Sequence, residues 1–381
     1  MILNRNRLFA NCFHLKSLSI PFRLVNWILT VPNRFEKGKL MSLRKTGKPS
    51  VILTGFADEV SNSKTLVEQF ATFAALGLQY YSIRFVNLGD EVKNVMKLTV
   101  DEIHQVREIQ NDYGLNVSSI GSPIGKVKLL DVEDGTKNVF IPFKTYLEND
   151  VKKVCEIAHL FETKLIRGFS FYHPRGTDPK DYLSQAVDQL GQIADVCHRS
   201  DLTFGLEVEA NLIGQNGWIL NEIYRQVNHP AMLLIFDGAN LITQGYTAEE
   251  VFSQYEAMKP GLGWLHIKDY VKSISDQKGG HVNEDMMAGF VPSDCGYCGH
   301  EAILRDFAEI IPGLTSKLED RGVPGVFLDL EPHVKGGGQF GGYSGPDGLG
   351  VALRSLCNLL DYVGVNYHLR DFNDVRAARG F

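Results

Sequence analysis

Four short apolar runs in the second half of the chain each stop at a side chain that binds hard cations. This recurrence restricts the fold more than any other feature. GLEVEAN (205–211) is apolar up to Glu207 and turns polar at Glu209 and Asn211. LLIFDGAN ends in Asp237, WLHIKD carries His266, and VFLDLEPH ends in Glu331. Each run has the length and β-branched or aromatic content of a buried strand. A carboxylate at the end of such a strand is costly unless something pairs with it. Two Glu, one Asp and one His at four strand ends are a donor set for a hard divalent cation. The chain must therefore fold so that four strand ends meet.

The rest of the chain follows one pattern. VILTGFADE (51–59), YYSIRFV (80–86), LNVSSIGS (115–122) and KLIRGFSFY (164–172) read as four earlier strands. The later strands are expected over 203–208, 232–237, 263–268 and 326–331. Helices are expected over 64–76, 99–113, 148–161, 180–199, 217–227, 247–258, 301–311 and 347–362. The first carries Leu66, Phe70, Phe73 and Leu76 at helical spacing and is stopped by Gly77. Strict strand–helix alternation requires parallel strands with right-handed crossovers. Eight such units point to a closed (β/α)₈ TIM barrel rather than an open doubly wound sheet, which has no reason to collect four ligand types at successive strand ends. The successive spacings Glu207 to Asp237, Asp237 to His266 and His266 to Glu331 are 30, 29 and 65 residues. The first two fit one unit each. The third requires an insertion of roughly 270–300, placed where it could cover the site.

Charge divides the chain unevenly. Residues 1–48 hold ten Lys/Arg and one acid, Glu36, leaving 29 Lys/Arg against 44 Asp/Glu in the remainder. An acidic body excludes a nucleic-acid partner, which needs a basic face. No run reaches the ~18 apolar residues of a membrane span. Six Cys in 381 residues make no disulfide framework, so a reducing, cytoplasmic setting is expected. The 1–48 segment lacks a secretory h-region. It is read as an extension outside the fold, with Met41 as the favoured true start and a transit peptide or a structured add-on as the alternatives. The barrel is expected over 49–365 and a tail of mixed charge and little periodicity over 366–381.

GLEVEAN, IFDGAN, LHIKD and LEPH resemble the metal-binding strand ends of the xylose isomerase-like TIM barrels, specifically the sugar phosphate isomerase/epimerase group. SSIGSPIGK and GQFGGYSGP (338–346) look like one branch of these proteins, and the resemblance covers about 50–365. It implies cation ligation by Glu207, Asp237, His266 and Glu331. Glu207 is preferred to Glu209 because the resemblance assigns the cation to the first Glu of a motif like LEVE. Mn²⁺ is favoured, with Mg²⁺, Co²⁺ or Zn²⁺ as alternatives. The resemblance also implies proton transfer by the two glutamates. The cation would polarise the carbonyl of a ketose and stabilise an enediolate, while Glu207 and Glu331 take and return the proton. The substrate would be a small sugar or keto-sugar, and a homo-oligomer is compatible with the fold. A dehydratase of the inosose type begins with the same proton abstraction and is the alternative. An endonuclease IV-like phosphodiesterase would need more His at the strand ends, and a non-catalytic sugar-binding barrel would be expected to have lost a ligand.

Five further residues are candidate substrate contacts: His333, two residues past Glu331; Lys126 in SPIGK; His173 after the fourth strand; Arg84 near the end of the second; and Asp269, also a candidate orienting partner of His266. The bland reading of each is a surface His, a solvated loop Lys or a structural ion pair. Cys295 and Cys298 form a lone C-x-x-C without the second pair of a zinc knuckle and are read as part of the loop before the seventh helix. The glycines of 336–338 lack phosphate-loop spacing and are read as a loop closing over the mouth.

Overall fold

The computed structural model describes residues 48–271, 288–338 and 341–379. All eight expected strands form: β1 (Ile52–Gly55), β2 (Tyr80–Ile83), β3 (Asn116–Gly121), β4 (Leu165–Gly168), β5 (Thr203–Glu207), β6 (Met232–Asp237), β7 (Leu262–Ile267) and β8 (Phe327–Leu330). Every neighbouring pair in their sheet is parallel, in the order β1-β8-β7-β6-β5-β4-β3-β2. A parallel bridge between Phe56 and Ser82 joins the two ends. The result is a (β/α)₈ barrel with its helices outside.

Those helices are α1 (Leu66–Ala75), α2 (Val100–Asp112), α3 (Lys152–Leu160), α4 (Leu183–Arg199), α5 (Gly217–Val227), α6 (Ala248–Met258), α7 (His300–Glu319) and α8 (Gly345–Val363). Local chemistry sets their ends. Thr99 with Glu102 and Thr247 with Glu250 form capping boxes at α2 and α6, and Asn216 caps α5 through the amide of Ile219 at 3.0 Å. Gly364, with φ +79°, ends α8 in the left-handed conformation. A π-turn over Leu147–Val151 precedes α3, so that element starts less regularly than the sequence suggests.

The strands are buried on both faces, which explains their near-continuous apolar runs. Space inside the sheet is tight. A Cβ on Gly205 of β5 would lie 2.1 Å from the Trp264 ring of β7, so only glycine fits there. The barrel interior also contains a polar belt that alternation did not reveal. Thr54, Ser82, Ser118 and Ser119 exchange side-chain hydrogen bonds of 2.8–3.0 Å, and Ser82 donates to Asp329. Hydroxyls are affordable in this interior because each finds a partner.

Two kinds of feature depart from the sequence reading: a helix in the tail and short hairpins after β2 and β7. Residues of the tail expected to lack periodicity include a helix over Phe372–Arg379. The tail also packs on the barrel base: the Asn366 carbonyl accepts the Val51 amide at 2.9 Å, and the Arg370 guanidinium donates to the carbonyls of Leu78 and Tyr113. Short hairpins unforeseen in the sequence follow β2, pairing Phe85–Asn87 with Val92–Asn94, and follow β7, pairing Asp269–Tyr270 with Phe290–Val291. The reading of 1–47, Met41 included, and most of the inserted stretch after β7 lie outside the described residues. Among the described residues no helix is long and apolar enough to cross a membrane.

Candidate metal and proton-transfer site

Glu207 ends β5, Asp237 ends β6, His266 lies in β7 and Glu331 directly follows β8. Because these strands are parallel and in register, with Asp237 paired to His266, their ends emerge on one rim of the barrel. One ligand atom from each of the four lies within 4.8 Å of the others, and all four residues are buried. His266 Nδ1 is 3.0 Å from Glu207 Oε1 and 3.9 Å from Glu331 Oε2.

Two buried carboxylate oxygens of this cluster, Glu207 Oε2 and Asp237 Oδ2, make no hydrogen bond and meet only a basic side chain, at 3.4 Å from Arg167 and 3.0 Å from Lys268. Buried lone pairs of this kind are costly unless a cation or proton meets them. Three carboxylates and one imidazole converging with unused donor capacity fit a hard divalent ion.

Three basic side chains share the cluster. Arg84, half-way round the barrel on the β2 end, places Nη1 2.5 Å from Glu331 Oε1 and grips Asp58 through Nε and Nη2 at 3.1 Å. Lys268 Nζ lies 3.0 Å from Asp237 Oδ2 and 2.8 Å from Glu331 Oε2. Arg167, at the end of β4, approaches Glu207 Oε2 at 3.4 Å and faces the rings of Phe56 and Phe169. Burial alone would raise Glu207, but the field of His266 and Arg167 outweighs it and holds the carboxyl at about 2. Glu331 is likewise held well below the usual carboxylate range by Lys268, His333 and Arg84 against the effect of burial. Asp237 goes the other way: burial, reinforced by Glu207 and Glu331, outweighs Lys268 and His266 and lifts it to about 6.

That raised value gives a pH dependence with a definite sign. In the metal-free protein a proton is retained on Asp237 up to about pH 6, a window in which an unfolded Asp has already lost it. This contribution to folding stability is therefore present at low pH and is lost as pH rises through about 6. A cation must displace the proton, so affinity runs the opposite way. Calorimetric titration with Mn²⁺ should show binding weakening by about tenfold per pH unit below 6. A flat profile from pH 7 to 5 would count against Asp237 as a ligand.

The other sequence candidates separate. His333 is at the site: its Nε2 is 3.9 Å from Glu331 Oε1. Lys126 is at the rim, paired with Glu209 at 3.0 Å and lying over the Phe169 ring at 4.2 Å. Glu209 is thus occupied outside the cluster that holds Glu207. His173 is tied into its own loop by Thr177 and Pro174, both at 3.2 Å, and stacks on Tyr182. Asp269 does not orient His266. Its Oδ1 accepts the amides of Tyr270 and Cys298 and so ties the CGYCG loop to the end of β7. The acid facing His266 Nε2 is Asp329, at 4.0 Å, lifted by burial to about 6. Cys298 is buried and Cys295 exposed, both as free thiols.

Sequence reasoning missed Arg167, Asp329, Glu59 and the placement of Lys268 between two expected ligands. Their only signals were a charged residue inside an otherwise apolar run, as in LIRG and FLDL, and the acids of FADE just past β1.

Residues 70–356, more than half of the chain, match the model of the xylose isomerase-like TIM barrel family, and the chain belongs to that family. A comparison with curated proteins finds no match. Among solved structures it is similar to the IOLI protein with a bound zinc atom, at 13% identity and TM-score 0.56, covering 82% of this chain and 99% of that one. It is similar to a D-tagatose 3-epimerase-like protein at 14% identity and TM-score 0.55, covering 82% and 98%. It is also similar to the probable 3-DHS dehydratase AsbF of Bacillus anthracis at 15% identity and TM-score 0.51, covering 81% and 99%. At these identities the likeness is one of fold.

Proposed function

We propose that the chain is a divalent-cation-dependent isomerase or epimerase of a sugar or keto-sugar. The observation that carries this reading is the convergence of Glu207, Asp237, His266 and Glu331 within 4.8 Å at the barrel mouth. A cation held there would polarise a substrate carbonyl and acidify the neighbouring carbon. Glu207 and Glu331 come from β5 and from the end of β8, on different sides of the mouth, so each can serve one face of that carbon. Both are ionised at neutral pH, and because low proton affinity makes each a weak base, the cation must acidify the substrate carbon by more than it weakens the glutamate. Lys268, Arg84 and Arg167 offer N–H donors to substrate oxygens once a ligand or cation competes for their carboxylates.

The same first step would serve a dehydratase, in which loss of a β-hydroxyl follows proton removal. The fold likeness to a probable dehydratase keeps that second reading. Two measurements test the proposal. Purified protein should carry one divalent ion per chain, with content falling sharply in His266→Ala and Asp237→Asn. The metal-loaded protein, incubated in D₂O with a panel of keto-sugars that includes D-tagatose, should wash deuterium into the α-carbon. Epimer or isomer products support the first reading and dehydrated products the second. Full metal content in either variant with a normal fold would show that the ligands are elsewhere.

A further inference from the structure

A second group of metal-binding side chains lies apart from the rim cluster, where the chain leaves β7. Asp269 follows that strand, Cys298 lies in the loop before α7, and His300 begins that helix. One ligand atom from each of the three lies within 4.8 Å of the others, and all three residues are buried. Two glycines bring them together. A Cβ on Gly296 would lie 2.2 Å from Asp269 Oδ1, so only glycine lets the loop backbone come this close. Gly299 is left-handed, with φ +74°, and turns the chain between Cys298 and His300. Asp269 Oδ1 is spent on the amides of Tyr270 and Cys298, at 2.7 and 2.9 Å. Its Oδ2 lies 3.9 Å from His300 Nε2. The Lys268 carbonyl completes the group: its oxygen is 2.8 Å from His300 Nε2 and 3.9 Å from Cys298 Sγ.

We infer that Asp269, Cys298, His300 and the Lys268 carbonyl form a second cation site, selective for a thiophilic ion of the Zn²⁺ type. Donors held by one tetrahedral ion at about 2.0–2.3 Å stand roughly 3.3–3.8 Å from one another. The separations of 2.8 and 3.9 Å here bracket that spacing. One sulfur, one imidazole nitrogen and two oxygens suit Zn²⁺ or Co²⁺, whereas Mg²⁺ and Mn²⁺ favour oxygen donors. The rim cluster has no sulfur, so the two sites divide cations by softness. Without an ion, burial and the Asp269 carboxylate keep the Cys298 thiol protonated. The ion displaces that proton to solvent and takes the place of the hydrogen between His300 Nε2 and the Lys268 carbonyl. It then ties the loop before α7 to the end of β7. It also fixes the backbone of Lys268, whose ammonium bridges Asp237 and Glu331. The site does not depend on the reaction proposed above.

The test is a Co²⁺ titration of full-length protein freed of metal by chelation. A thiolate-to-Co²⁺ charge-transfer band in the near ultraviolet should rise to a plateau at one sulfur-bound ion per chain, and Zn²⁺ should erase it. Co²⁺ at the rim adds no such band, because no rim ligand carries sulfur. His266→Ala, which strips the rim ion, and Cys295→Ser, which removes the exposed neighbouring thiol, should both keep the band. Cys298→Ser should abolish it while still binding Mn²⁺ at the rim, and His300→Gln should shift the titration to higher Co²⁺. A wild type that binds Co²⁺ without the band, or a band that survives Cys298→Ser, overturns the site. A second measurement needs no cysteine variant: X-ray absorption on Zn²⁺-loaded His266→Ala should show one sulfur among the zinc neighbours. A shell of nitrogen and oxygen alone overturns the site whatever the fold of Cys298→Ser. Absence of deuterium exchange on every sugar, with the sulfur signature present, means that the proposed reaction is wrong and the second site stands.

Discussion

Replacing Glu331 by Gln is expected to slow deuterium exchange at the substrate α-carbon by about 10²-fold or more, the usual scale for loss of a general base. The amide keeps one oxygen for a cation and removes the proton acceptor. The surroundings make the variant more demanding than an isosteric swap suggests. Glu331 receives Arg84 on one oxygen and Lys268 on the other, and an NH₂ group must then face one of those donors. Metal content and melting temperature therefore belong on the same sample as the exchange rate. Glu207→Gln should fall comparably, because Glu207 shares the cluster. Glu209→Gln should stay within a few-fold of wild type, because Glu209 is spent on Lys126 at the rim. Exchange near the wild-type rate in a metal-loaded Glu331→Gln protein would move the base elsewhere.

The second large effect is expected from Lys268→Met. In the metal-free protein this ammonium bridges Asp237 and Glu331, neutralising charge where a cation is expected. Removing one partner of a buried ionic cluster costs about 3–5 kcal/mol. Metal-free Lys268→Met should therefore melt well below the wild type. A divalent ion adds to the same carboxylates and is repelled by the ammonium, so the variant should gain more from Mn²⁺ than the wild type does. Differential scanning calorimetry with and without Mn²⁺ measures both terms. A variant that melts normally without metal, or that gains no more than the wild type on adding it, would show that Lys268 and the cation do not compete.

Much of this architecture was legible in the residues alone, because its signals are local. Alternating strand and helix patterns with Gly and capping residues at their joints marked all eight strands. An acid or His at the end of a buried strand has few reasons to be there, which marked Glu207, Asp237, His266 and Glu331 before any coordinates. Periodicity could not supply the partners, since a hydrogen bond between Glu59 and His333 spans 274 positions and leaves no trace in spacing. Arg167 and Asp329 were hidden for a related reason: inside a barrel both strand faces are buried, so a charged residue in an apolar run does not announce which face it takes.

Asp269 shows the limit from the other side. Sequence proximity to His266 made it the natural orienting partner, yet the chain turns after β7 and sends its carboxylate to the backbone of the 295–298 loop. What the sequence by itself determined was therefore the barrel and the four strand-end side chains that meet on its rim, all consequences of local pattern repeated in register. What only the tertiary structure decided was the charge environment of those four side chains. Lys268 between two carboxylates, Asp329 facing His266 and Glu59 holding His333 arise from strand ends that are distant in the chain and adjacent on one rim.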